Sequence, residues 1–275
     1  MQLKTLLLSL LASSATAQRS CGTPNATEEQ LQIAQNLQIL ESEASFGESS
    51  LAAAATINVK VYWHVTATDK TVAGGYMTQS ALDKQLAVLN DAYAPHGISF
   101  TQAGADWTVN SQYANDQAEV AMKKALRKGT YADLNVYFTP GTEYLGYAYF
   151  PKSVAAGSQD FYLDGVVIRS STVPGGSETK YNLGHTATHE IGHWLGLYHT
   201  FQGGCTGSGD YVSDTAAEAS ASYGCVTTRD SCPSQAGLDP VTNYMDYSDD
   251  DCFTGFTAGQ QTRMYSYWNS YRAGK

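Results

Sequence analysis

Basic residues are scarce in this chain: 16 Lys and Arg stand against 26 Asp and Glu, a formal net charge of -10 over 275 residues. That balance argues against nucleic acid or an anionic membrane as the main partner, since both are held by clustered cations. Long apolar runs are lacking too. The first of note, Leu6 to Leu11, falls well short of the about 20 residues that a spanning helix needs. It lies between Lys4 and the small-residue ending Ala15-Thr16-Ala17, which is the layout of a secretory signal peptide over residues 1–17. Removing Lys4 with it makes the mature chain still more acidic. The expectation is a secreted, extracellular, monomeric protein with no membrane or nucleic-acid partner. Cysteine is sparse and odd in number, with 5 in all. Charged residues make up only 15% and hydrophobic ones 43%, which fits a single globular domain with its own core.

Histidine is also rare, at 6 residues, yet His189, His193 and His199 fall within one short stretch, His189-Glu190-Ile191-Gly192-His193-Trp194-Leu195-Gly196-Leu197-Tyr198-His199. Residues four apart on a helix lie on one face, so His189 and His193 can share one ion. His199 would lie about 15 Å from His189 on a continuous helix, while zinc ligands sit about 2 Å from the metal. The helix must therefore stop, and Gly196 can end it in a conformation that other residues avoid. Three His ligands leave a fourth position open to water, whose pKa zinc lowers toward about 7. Glu190, beside the first ligand, is the expected general base and later acid. A purely structural zinc site would close with a fourth Cys or His and has no use for that carboxylate. The stretch thus matches a catalytic signature, that of the metzincin metalloproteases.

The second half of that signature is Asn243-Tyr244-Met245-Asp246-Tyr247, where Met245 resembles the Met-turn residue under the metal and Tyr247 the tyrosine that assists the reaction in some metzincins. The flanks narrow the likeness. Asp164-Gly165-Val166-Val167-Ile168, Asn182-Leu183-Gly184-His185-Thr186-Ala187-Thr188 and Thr200-Phe201 resemble the pappalysin family, most of all its small secreted fungal members, over about residues 57 to 271. The resemblance implies a zinc endopeptidase with peptide or protein substrates, in which Tyr247 donates to the developing oxyanion. Two rivals from other classes share the motif: a secreted zinc-binding protein without protease activity, and a zinc hydrolase of non-peptide amides. An inactive binder would be expected to show a damaged motif, and every position here is intact.

The remaining chain divides into an N-terminal arm or pro-segment, 18–50, and a catalytic domain, 51–275. The arm shows a helical stripe at Ile33, Leu37, Leu40 and Ala44. Ile57 to Trp63 alternates as a strand; Leu82, Leu86, Leu89 and Tyr93 mark a helix closed by Pro95 and Gly97. Ile98 to Phe100 reads as a short strand. Asp116 with Glu119 predicts a capping box for a helix ending at Gly129, whose Lys123, Lys124, Arg127 and Lys128 complement the helix dipole. Leu134 to Phe138, Tyr144 to Phe150 and Gly165 to Ser170 read as strands, and Thr257 with Gln260 opens a last helix. The fold class expected is α/β (α+β): a twisted mixed sheet with the active-site helix, then an irregular, disulfide-stapled subdomain ending in a helix. By resemblance, Leu145 to Tyr149 is the edge along which substrate lies.

Four cysteines follow His199, and their spacing alone allows three pairings. The pappalysin pattern implies Cys205 with Cys232 and Cys225 with Cys252. It also implies a structural calcium at Asp210 and Thr215, within a segment of hard oxygen ligands in which Ala216 replaces the family's proline. Asp249-Asp250-Asp251 reads as a solvated acidic turn. Cys21 is left unpaired. Followed by Gly22, and separated from Arg19 by Ser20, it resembles the cysteine that blocks the metal in some metzincin precursors. Asn25-Ala26-Thr27 is a glycosylation sequon.

Overall fold

A computed structural model describes residues 18–46 and 56–275. The expected signal peptide, the expected arm boundary at residue 50 and the run Ser49 to Ala55 lie outside the described residues. The arm carries helix α1 (Glu28–Phe46). The domain then opens with strand β1 (Ile57–Ala67), helix α2 (Gln79–Tyr93) and strand β2 (Ile98–Val109). Short helices α3 (Ser111–Ala114) and α4 (Glu119–Leu126) lead to strands β3 (Leu134–Thr139) and β4 (Gly146–Ala148). Helix α5 (Gln159–Leu163) and strand β5 (Val166–Arg169) precede helix α6 (His185–Trp194), which carries the first two motif histidines. A long irregular stretch then reaches helix α7 (Ala258–Tyr267).

The strands form one sheet in the order β2-β1-β3-β5-β4, parallel except for the antiparallel edge strand β4. Val59, Val61, Trp63 and Val65 of β1 alternate onto one face, where with Val136, Phe138, Val166 and Ile168 they meet α2, Ile191 and Trp194. The other face carries a smaller cluster of Met122, Tyr137, Tyr147 and Val167 under α4. Burying both faces is what parallel strands require. The two bridges Cys205–Cys232 and Cys225–Cys252 staple the irregular stretch. Thr257 and Gln260 form a reciprocal capping box at the start of α7.

Several local expectations are corrected. Strand β2 runs on to Val109 because it pairs with all of β1, and β4 pairs over only three residues because β5 offers only four. Asp116 does not cap α4: it sits at a φ of 54°, and the helix starts from Ala118. Lys123 does not decorate a solvated helix end. It is fully buried, bonds Glu119 at 2.8 Å and the Leu163 carbonyl at 2.7 Å, and lies 4.6 Å from the Tyr149 ring centre. On α1 the stripe is displaced: Ala34 is buried and Leu40 is 59% exposed. Asp250 is not a solvated turn residue, being 1% exposed and accepting from the Leu183 and His185 amides just ahead of and at the start of α6.

Candidate active site

Helix α6 is buried from Thr186 to Trp194 and is anchored at both ends. At its start Gln85 Nε2 donates to the Gly184 carbonyl at 2.9 Å; within it, the Tyr93 hydroxyl donates to the Thr188 carbonyl at 2.8 Å. At its end Arg272 donates to the Trp194 carbonyl, stacks 3.6 Å from a Trp194 ring centre and pairs with Asp164 at 2.9 Å. These contacts fix where the two helical histidines point.

The chain leaves the helix at Leu195, and Gly196 adopts a φ of 98°, a region that side chains strongly disfavour. That turn returns His199 to the helix. The Nε2 atoms of His193 and His199 lie 3.0 Å apart, and those of His193 and His189 3.2 Å apart. Three ligands placed tetrahedrally at about 2.05 Å from one zinc would be about 3.3 Å apart. His189 Nδ1 meets the Tyr244 carbonyl and His193 Nδ1 the Leu197 carbonyl, each at 2.7 Å. A carbonyl only accepts, so both rings carry their proton on Nδ1 and turn the Nε2 lone pair toward the shared point. Burial holds all three imidazoles below their ordinary pKa, which favours the neutral, ligating form. The residues present therefore fit a single zinc ion.

Around that point stand the other expected residues. Met245 is fully buried against Gly192, where any Cβ would meet its sulfur at 2.4 Å, and its carbonyl accepts from Thr200 next to His199. The Tyr247 ring packs edge-on to His199 with centres 5.1 Å apart. Glu190 is 1% exposed, and burial pushes its carboxyl up to about 7. Its Oε2 accepts from Thr23 Oγ1 at 3.0 Å and from Cys21 Sγ at 3.3 Å. The Cys21 sulfur and one ring nitrogen from each of the three histidines lie within 4.8 Å of one another. The arm is thus seated in the site. Its backbone pairs with the edge of the sheet, Gly22 N donating to Gly146 O at 2.9 Å and Leu145 N to Ser20 O at 3.0 Å.

Sequence reasoning missed Thr23, Arg19 and Asp250. Arg19 is 2% exposed, ion-paired to Asp250, bonded to the Ser248 carbonyl and stacked between Tyr181 and Phe253. No local pattern marks such partners, which lie far apart in the chain. His185, four residues before His189, bonds Thr188 Oγ1 and stays outside the metal-capable group. Asp210 and Thr215 lie elsewhere, hydrogen-bonded to each other at 2.6 Å in the stapled stretch. Asn25 is exposed, and Thr27 of its sequon pairs with Gln30 at the start of α1.

Comparison with known proteins accords with this geometry. The peptidase M43 family model, described as pregnancy-associated plasma protein-A, matches residues 118–269. An extracellular metalloprotease of Colletotrichum graminicola is 67% identical over 277 residues, covering 99% of both chains. One from Sordaria macrospora is 56% identical, again over 99% of both chains. Among solved structures, Tannerella forsythia mature mirolysin in complex with a cleaved peptide aligns with a TM-score of 0.65 at 27% identity, over 78% of this chain and 92% of that one. A promirolysin variant from the same organism aligns with a TM-score of 0.71 at 25% identity, over 92% and 95%. With the model matching over half the chain and relatives alike along nearly all of it, this chain belongs to the pappalysin (M43) family of zinc metalloproteases.

Proposed function

We propose that the chain is a secreted endopeptidase in which His189, His193 and His199 hold one catalytic zinc and Glu190 moves the protons of peptide-bond hydrolysis. The observation that carries this reading is the convergence of three Nε2 atoms, 3.0 and 3.2 Å apart, with the Glu190 carboxylate beside them and the edge strand β4 alongside. Bound there, zinc would polarise the scissile carbonyl and acidify the attacking water. Glu190 takes the water's proton and returns it to the leaving amine, and its buried setting favours that exchange. Tyr247, packed against His199, donates its hydroxyl to the oxyanion as charge develops. The β4 edge already pairs with the arm through backbone hydrogen bonds, so it can hold an extended peptide largely regardless of sequence. The relatives' names as extracellular metalloproteases support secretion, and no helix among the described residues is long and apolar enough to cross a membrane. Cleared casein, blocked by a chelator and restored by zinc, is the expected result. Zinc binding without clearance would favour the inactive binder, and release of non-peptide amides alone the other hydrolase.

The arm, residues 18–50, is read as a pro-segment whose Cys21 sulfur takes the open metal position, and Asn25 as a glycan site. Asp210 and Thr215 are read as part of a calcium site. Asp210 is 4% exposed; its Oδ1 accepts from Val212 N and Thr215 Oγ1, while its buried Oδ2 has no hydrogen-bond partner among the described residues. Asp214 is engaged elsewhere, accepting from Thr257 Oγ1 and Gly259 N at the start of α7. Calcium added back to chelated, zinc-loaded protein should raise the melting temperature by about 3 °C. An unchanged melting temperature would dismiss the site.

A further inference from the structure

Two of the three imidazoles are aimed by hydrogen bonds, and the third is not. His189 Nδ1 donates to the Tyr244 carbonyl and His193 Nδ1 to the Leu197 carbonyl. His199 Nε2 lies 3.0 Å from that of His193, but no hydrogen bond among the described residues reaches its Nδ1. Such a bond usually fixes the ring orientation of a metal-binding histidine. Without it the imidazole can turn, because the torsion between Cβ and the ring is broad. The Nε2 lone pair lies in the ring plane, so whatever holds that plane also aims the ligand. Another group must hold His199.

Phe201 is placed to do so. Its ring lies against that of His199 with centres 4.7 Å apart and planes 10° from parallel. Tyr247 stands nearly perpendicular to both rings, 5.1 Å from His199 and 4.9 Å from Phe201. The backbone brings the stacked pair together. Gln202 N donates to the His199 carbonyl at 3.0 Å and closes a turn, while Thr200 between the two rings points inward, 2% exposed, its hydroxyl donating to Glu218 at 2.8 Å. With Thr200 turned inward, its two neighbours share the opposite side. Phe201 is no core residue: it is half-buried, belongs to neither hydrophobic cluster of the sheet, and stacks on no ring among the described residues besides His199 and Tyr247.

We propose that Phe201 is the positioning residue of the third zinc ligand: its ring face, in place of a hydrogen bond to Nδ1, holds the His199 imidazole in the plane that aims Nε2 at the point shared with His189 and His193. The proposal rests on the reading of the three histidines as zinc ligands. Its test is zinc affinity, measured on the whole chain from Gln18 by competition with a coloured chelator at neutral pH. Phe201→Leu and Phe201→Met keep an apolar side chain without a flat face. Phe201→Tyr keeps the face, and its hydroxyl can reach water because the position is only half-buried. Loss of the face should raise the zinc Kd about tenfold, the lower end of what removing the partner of a ligating histidine costs. The tyrosine variant should bind within about twofold of wild type, since the stacked contact remains. An unchanged Kd in the leucine or methionine variant overturns the proposal. So does a rise in Kd that follows a fall in the zinc-free melting temperature across all three variants, tyrosine included, which would make the ring mere packing. One measurement needs no variant to fold: in zinc-loaded wild type the His199 ring protons should lie upfield of those of His189 and His193, through the ring current of the stacked phenyl face. Signals without that shift overturn the stack. A wild-type chain that takes up no zinc overturns the metal-site reading and this one with it.

Discussion

Glu190→Gln is expected to lower kcat/KM on casein-derived peptides by about 10²- to 10⁴-fold, the range lost with a general acid-base group. That corresponds to about 2.7 to 5.5 kcal/mol of transition-state stabilisation. Glutamine keeps the size of the side chain and can still accept from Thr23 Oγ1, which now lies 3.0 Å from the carboxylate. It cannot take a proton from water at neutral pH. The three imidazoles are held by the Tyr244 and Leu197 carbonyls and by the turn at Gly196, none of which involves the carboxylate. Zinc content should therefore stay at one per chain by elemental analysis. Wild-type turnover by a fully zinc-loaded variant would remove Glu190 from the mechanism, and loss of zinc would show that the substitution disturbed the ligands instead.

What could be read from the sequence divides along physical lines. His189, Glu190, His193 and the stop at Gly196 were legible because helix periodicity and ligand chemistry act over a few residues. The capping pair Thr257 and Gln260 was legible for the same reason. Met245 and Tyr247 needed family resemblance, since a Met and a Tyr in a polar loop carry no chemistry of their own until the chain folds them under and beside the histidines. Arg19 and Thr23 could not be read at all. Their partners, Asp250 and Glu190, lie 231 and 167 positions away, and only the closure of the arm over the cleft brings them together. Lys123 and Asp116 misled for a related reason. On a helical wheel they look like a dipole-facing cation and an N-cap, but packing of α4 against the sheet buries the lysine among tyrosines, and the left-handed backbone at Asp116 turns its carboxylate to Tyr147. Tertiary burial overrode local preference wherever the sheet's second face was concerned.

Cys21→Ala should raise the initial rate of the secreted, untrimmed chain by roughly a hundredfold, because on the proposed reading it removes the group that takes the water's place at the metal. The thiol needs little intrinsic affinity for this, since a tethered ligand acts at an effective concentration in the millimolar range. The tether is firm. Arg19 pairs with buried Asp250, Gly22 and Ser20 pair with the β4 edge, and Glu41 of α1 meets Arg263 of α7 at 2.9 Å. Thr23 and Cys21 both bond Glu190 Oε2, so on the proposed reading the seated arm would withhold the base as well as the metal position. Alanine leaves every anchor but the sulfur, and it therefore isolates the thiol's share of the block from that of the strand pairing. The variant would be activated from the first minutes, whereas wild type would show a lag that ends as residues up to about 50 are removed. Mass spectrometry of both chains at each time point checks that the N-terminus is intact while the early rates are taken. Equal early rates from two intact chains would exclude a thiol switch, leaving the strand pairing of the arm to account for any remaining lag.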